Sequence, residues 1–136
     1  MKTITTLEDA LLARVQPKAG MKLAVVGEGV DRFVPLLASR AEEVKVVKFE
    51  SASQTGLPDC CCHYVVSGSH AEAALREAAR ILREDGRLIV VGSPATELRR
   101  AVHEVEHRGW TIHHSAEIDH DHFLLELTLT DESVQS

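Results

Sequence analysis

The chain has 136 residues, 44% of them apolar and 26% charged, with a formal charge of −6. That is the size and composition of one folded domain, which excludes extensive disorder. The acidic balance and the lack of a basic stripe interleaved with aromatics argue against a nucleic-acid partner, and no apolar run reaches membrane-spanning length.

The residues before Thr6 lack the apolar segment of a signal peptide, so a cytoplasmic location is the default expectation. From Thr6 to Asp9 the sequence has the form of a helix start. Leu7, Leu11 and Val15 then keep one apolar face until Pro17 and Gly20. Leu23 to Val26 is a short continuous apolar run, the pattern of a strand buried on both faces. Gly27 and Gly29 flank Glu28, and a helical pattern through Phe33, Leu36, Leu37 and Ala41 follows, with Pro35 in its first turns. Val44 to Phe49 is predicted as a second strand ending at Glu50, and 51–59 as loop.

Cys60, Cys61 and Cys62 stand side by side. Three consecutive cysteines cannot form a disulfide framework and lack the spacing of a zinc knuckle, so at least one is expected to pack as a small apolar residue. A third strand is predicted from Cys62 to Val66. Ser69 and Glu72 have capping-box spacing ahead of a helix that buries Ala71, Ala74, Leu75, Ala78 and Leu82 and stops at Asp85-Gly86. Leu88 to Val91 is a fourth strand. Ser93 reads as an N-cap and Pro94 as the first helical residue, with Leu98, Ala101, Val102 and Val105 as the buried stripe up to Gly109. Trp110 to Ser115 and Phe123 to Leu129 complete the strands, the latter with Leu125, Leu127 and Leu129 on one face; the tail 131–136 is expected to fray. Strands alternating with helices predict one three-layer α/β domain over 1–136, with its core at about 22–130 and an N-terminal helix within 1–20.

A strand, a glycine-rich turn and a helix N-terminus together suit an anionic or nucleotide-like ligand, because the backbone can approach it closely and free N–H groups favour negative charge. The order of elements from Lys22 to Thr130 resembles the class I S-adenosylmethionine-dependent methyltransferase family. Gly27-Glu28-Gly29 matches its glycine-rich turn, and Glu50, 23 positions beyond Gly27, matches the acidic residue that binds the ribose hydroxyls. Leu57-Pro58-Asp59 leading into the strand that ends at Ser67-Gly68 also matches, as does the run from Ala78 to Val91. The resemblance implies a Rossmann-like sheet in the order second-first-third-fourth-sixth-fifth, with the last strand antiparallel. It implies S-adenosylmethionine as cofactor, held by Gly27, Glu28, Gly29, Glu50 and Ser67.

The chain also departs from that family. Val25 stands where an acidic residue is usual, and Asp31 stands near the third glycine. Only six residues separate Glu50 from Leu57, too few for the family's helix and third strand, so that unit is missing. Ser53 and Gln54 are the nearest substitutes for the adenine contact, and the substrate lid is absent. A shortened version of this fold is the N-terminal domain of anamorsin-type proteins, which this chain resembles in the short loop and the run from Arg80 to Val91, without their cysteine-rich tail.

His103 to His107 matches the zinc-protease pattern H-E-x-x-H literally. The apolar stripe of the same helix puts both imidazoles on its flank, and a chance match on a solvated helix is the expectation. His113, His114, His120 and His122, with Asp119 and Asp121, gather around one strand–loop–strand connection; a hydrophilic hairpin loop is expected there and no metal site. If the chain is an enzyme, His70, just beyond the third strand, is the catalytic candidate, a general base for a hydroxyl or amine taking a methyl group. The expected function is a methyltransferase-like module with weak or lost catalysis that binds cofactor or a protein. The alternative is a minimal S-adenosylmethionine-dependent methyltransferase. Loss of the third strand makes Val44 to Phe49 an edge, guarded by Lys45 and Lys48 and covered by either the N-terminal helix or a second chain, so a homodimer or protein partner is expected there.

Overall fold

The computed structural model describes residues 6–16, 18–27, 30, 32–39, 44–49, 54–118 and 121–130. In chain order the elements are α1 (Leu7–Arg14), β1 (Lys22–Val26), α2 (Phe33–Ala38), β2 (Lys45–Phe49), β3 (Cys62–Ser67), α3 (Glu72–Ile81) and β4 (Leu82–Gly92). A short 3₁₀ turn (Ala95–Glu97), α4 (Leu98–His107), β5 (Trp110–Glu117) and β6 (Phe123–Leu129) follow. The Thr6 hydroxyl accepts the Asp9 amide at 3.1 Å and starts α1, whose Leu7 and Leu11 are buried.

The strands form one sheet in the order β2-β1-β3-β4-β6-β5. The first four are parallel, and β6 runs antiparallel to both β4 and β5. This is the order that the family resemblance implies. The chain moves outward from β1 to β2, then returns across β1 to β3, which leaves a switch point between the carboxyl ends of β1 and β3.

Alternation along the central strands feeds two cores. Ala24, Val26, Val65, Leu88, Val90, Leu125 and Leu127 face Leu75, Ala78, Ala101 and Val105 of α3 and α4. Leu23, Val25, Val66, Ile89, Val91 and Leu124 face Leu7, Leu11, Phe33 and Leu37 of α1 and α2. Each fully buried Leu, Ile, Val or Phe contributes roughly 1.5–3 kcal/mol of transfer free energy. Burial on both faces therefore makes β1, β3 and β4 the rigid centre of the molecule.

Several local expectations are corrected. The capping box does not form: α3 starts at Glu72 behind Ala71, while the Ser69 hydroxyl accepts the Ala71 amide at 3.2 Å. Glu72 is then free to pair with Arg108 at 2.8 Å and Arg76 at 3.4 Å. The helix ends at Ile81, four residues before Asp85, because the amides of Cys60 and Cys61 take the carbonyls of Arg80 and Ile81 at 2.9 and 2.8 Å. Leu82 pairs with Cys62 instead of continuing the helix, and β4 bulges before Arg87 meets Tyr64. Ser93 caps no helix; its peptide bond to Pro94 is cis, and α4 begins only at Leu98. Leu129 shares the face of Leu125 and Leu127 but is 42% exposed.

No strand or helix stands between β2 and β3 among the described residues, and β2 is the sheet edge. The helix lying on β2 is α2; α1 lies against β6, where Arg14 approaches Glu126. Of the two covers expected for the edge strand, the N-terminal helix or a second chain, the helix is not the main one: α2 makes the chief helix contact with β2. The tail 131–136 lies outside the described residues.

Candidate functional site

The carboxyl ends of β1, β3 and β4 are tied to one another by backbone. The Gly27 amide donates to the Phe49 carbonyl at 3.0 Å, joining the end of β1 to the end of β2. The Gly68 amide donates to the Val26 carbonyl, also at 3.0 Å, joining β3 to β1. Gly27 has φ +92°, a left-handed conformation that strains any side chain, and it is buried. The first residue of the glycine turn is thus glycine for a backbone reason. Glu28, Gly29, Asp31, Glu50 and Ser53 lie outside the described residues. Gln54 is exposed, and Val25 is fully buried under α1 and α2.

Ser67, the last residue of β3, is 1% exposed. Its hydroxyl donates to the Ser69 carbonyl at 2.7 Å and accepts the Ser69 amide at 3.0 Å. Both bonds fold the loop 67–70 back on itself and hold His70 over the end of the sheet. The His70 ring is half-buried, 6.3 Å from the ring of Phe123 and inclined to it by 53°.

His70 lines a cleft of about 260 Å³ together with Val30, Ser69, Ser93, His122 and Phe123. The cleft lies across the ends of β3, β4 and the start of β6. Its floor depends on Gly92: a Cβ there would meet the Phe123 ring at 2.2 Å, so only glycine lets that ring lie flat in its place. The sequence reading names Gly27, Ser67 and His70 but misses Gly92, Phe123 and His122. A glycine at the end of an apolar strand is the one signal that pointed to Gly92. His122 is brought in by the antiparallel return of β6, which local pattern does not show.

The other histidine groups do not converge. His103 and His107 are exposed on α4 with rings stacked 6.3 Å apart, and Glu104 turns toward Arg108 at 3.8 Å. His113 is exposed and hydrogen-bonds Thr128 at 2.7 Å, while a register shift between Ile112 and His114 leaves His114 half-buried. Asp119 and His120 lie outside the described residues. Among the described residues no three His, Cys, Asp or Glu side chains gather to hold a metal ion, and no helix is long and apolar enough to cross a membrane.

No family model matches the sequence, and no curated protein matches it with significance. Solved structures do match. A SAM-dependent methyltransferase from Aquifex aeolicus is similar over 93% of this chain and 91% of its own, with TM-score 0.76 and 16% identity. A TehB-like SAM-dependent methyltransferase from Corynebacterium glutamicum is similar over 90% and 88%, with TM-score 0.65 and 16% identity. A structure of a complex between the Haloferax volcanii Trm112 methyltransferase activator and a methyltransferase gives 89% and 87%, TM-score 0.69 and 11% identity. At these identities the likeness is one of fold. The chain has the Rossmann-like fold seen in SAM-dependent methyltransferases.

Proposed function

We propose that this domain is a cofactor-binding or protein-interaction module in which methyl transfer is weak or lost. The observation that carries the reading is the position of β2. It is the sheet edge, directly beside the Gly27 turn, and the chain passes from it to β3 without a further strand or helix among the described residues. The wall that would hold an adenine therefore has no strand or helix among the described residues. The cleft of about 260 Å³ is also below the roughly 300–1,000 Å³ usual for small-molecule sites. S-adenosylmethionine, which supplies an activated methyl group when bound, fits the described residues in part. Gly27 allows close backbone approach, the loop shaped by Ser67 borders the same rim, and Glu28, Gly29 and Glu50 complete the cofactor set in this reading.

The second reading, a minimal S-adenosylmethionine-dependent methyltransferase, is favoured by His70. It is half-buried, held by the Ser67–Ser69 loop and turned into a cleft with Ser69 and His122. A neutral imidazole there accepts the proton of a small hydroxyl or amine acceptor. Calorimetric titration of S-adenosylmethionine separates the two readings. Binding weaker than about 100 μM, about 5.5 kcal/mol, supports the protein-interaction module; tighter binding leaves the cofactor-binding module and the enzyme, which turnover of the bound cofactor with a small hydroxyl or amine acceptor then separates.

The partner in the interaction reading adds to the β2 edge, as a second copy of this chain or another cytoplasmic protein. Val44, Val46, Val47 and Phe49 are half-buried and leave an apolar strand at the edge of the sheet. A strictly monomeric species in sedimentation at micromolar concentration, with an equally soluble and stable Val46→Lys variant, removes the homodimer.

A further inference from the structure

We propose that Cys61 and Cys62 form a dithiol site for a singly substituted trivalent arsenical. Their sulfurs lie 3.5 Å apart. Consecutive residues of a regular strand point to opposite faces, but Cys61 precedes β3 and its amide is held by the Ile81 carbonyl at 2.8 Å. Cys60, at φ +54°, turns the chain just before it. These two constraints bring the thiols together. Cys62 is fully buried beside Ile81 and Leu82, and Cys61 is half-buried above it, so a reagent enters past Cys61.

The pair is badly placed to oxidise to a disulfide. Adjacent Cα atoms stand about 3.8 Å apart, short of the roughly 4.4–6.8 Å that a disulfide spans. Cys62 is moreover fixed opposite Leu82 in the sheet. The 3.5 Å between the two sulfurs suits a single bridging atom. A tetrahedral centre with bonds of about 2.3 Å holds its sulfurs about 3.8 Å apart. A pyramidal trivalent arsenic has a narrower angle and draws them closer. Zinc needs four ligands, and no group of three His, Cys, Asp or Glu is available among the described residues. An arsenical that brings its own carbon substituent needs only two thiols.

Burial and the neighbouring Cys61 push the Cys62 thiol up to about 12, so it is protonated at neutral pH and attack starts at Cys61. With phenylarsine oxide, two arsenic–sulfur bonds form and the arsenic–oxygen bond breaks. Both thiol protons leave with the oxygen as water, and no atom changes oxidation state. The apolar surroundings of Cys62 then shield the second bond from competing monothiols. The site lies at the amino ends of the strands, opposite the cleft, so it is a binding site and takes no part in group transfer at His70.

The test is retention of phenylarsine oxide by the reduced, folded protein in excess glutathione, read by intact mass and by counting free thiols. The wild type and Cys60→Ser are expected to keep one equivalent with the loss of two thiols. Cys61→Ser and Cys62→Ala should retain it about a hundredfold less well, as expected when two tethered contacts become one. If Cys62→Ala misfolds by circular dichroism, Cys61→Ser decides alone, because that residue is half-buried outside the strand. Retention by Cys61→Ser, loss of retention in Cys60→Ser, or an adduct that forms only in denaturant overturns the proposal.

Discussion

At the amino-terminal rim of the parallel strands, polar side chains are committed to one another, whereas at the carboxyl-terminal rim they are held by backbone and turned toward a cleft. The first rim carries the Glu77 carboxylate. Only 9% exposed, it accepts the Thr55 amide at 3.0 Å, the Thr55 hydroxyl at 2.6 Å and two guanidinium bonds from Arg80. Arg80 reaches on to Asp59 at 2.7 Å, so the loop that replaces the missing strand is fastened to α3. The Lys22 amide donates to His63 nearby at 3.2 Å, and the buried Glu126 carboxylate is shared by Arg87 and Arg14. At the other rim, Gly27, Gly68 and Ser67 are fixed by bonds to main-chain groups, and His70 and His122 line the cleft. Ion pairing is thus concentrated at one end of the sheet and the cleft at the other.

The largest expected effect comes from the one tightly packed point of the open rim. Gly92→Ala drives a Cβ into Phe123, and unfolding free energy should fall by about 3 kcal/mol, the upper range for overpacking, in urea denaturation. An unchanged midpoint would show that this rim has slack to move.

Glu77→Gln is expected to cost about 2–3 kcal/mol at neutral pH, because the charge-assisted bonds to Arg80 are lost. Those bonds to Arg80, and then the Thr55 bonds, lower the Glu77 pKa from 4.5 to about 2 against a desolvation that raises it. A carboxylate with a depressed folded value stabilises the fold above its ordinary value and loses that contribution as the pH falls toward the folded value. The stability curves of the wild type and Glu77→Gln should therefore converge between about pH 4.5 and 2. Parallel curves across that window would remove the fastening role of Glu77.

Glu126→Gln should cost about 1–2 kcal/mol in thermal unfolding, since it weakens two guanidinium bonds while leaving a polar group that can still accept them. The smallest effect belongs to the cleft. His70→Ala should change stability by no more than about 0.5 kcal/mol. A larger loss would mean that the carboxyl rim uses this imidazole to hold the fold, and the contrast between the rims would weaken.

Sequence alone determined the alternating elements and the layers, because apolar periodicity is set residue by residue, while the sheet order was what the family resemblance implied, and the strand pairing agrees with it. Thr6 as a cap, the short path from β2 to β3 and the doubly buried β1 were legible for the same reason. Gly27 was legible as part of a turn, although its left-handed φ and its bond to Phe49 belong to the folded sheet. The end of α3 was not. Helical pattern extends to Leu82, but the amides of Cys60 and Cys61, twenty residues earlier in the chain, occupy the last carbonyls and hand Leu82 to β4. Glu77 carries no local signal that sets it apart from other helix carboxylates; tertiary contact with Thr55 buries it. His122, Gly92 and Phe123 meet His70 only because β6 returns antiparallel beside β4. Local pattern fixes which faces are buried, and only long-range pairing decides which polar groups are enclosed with them.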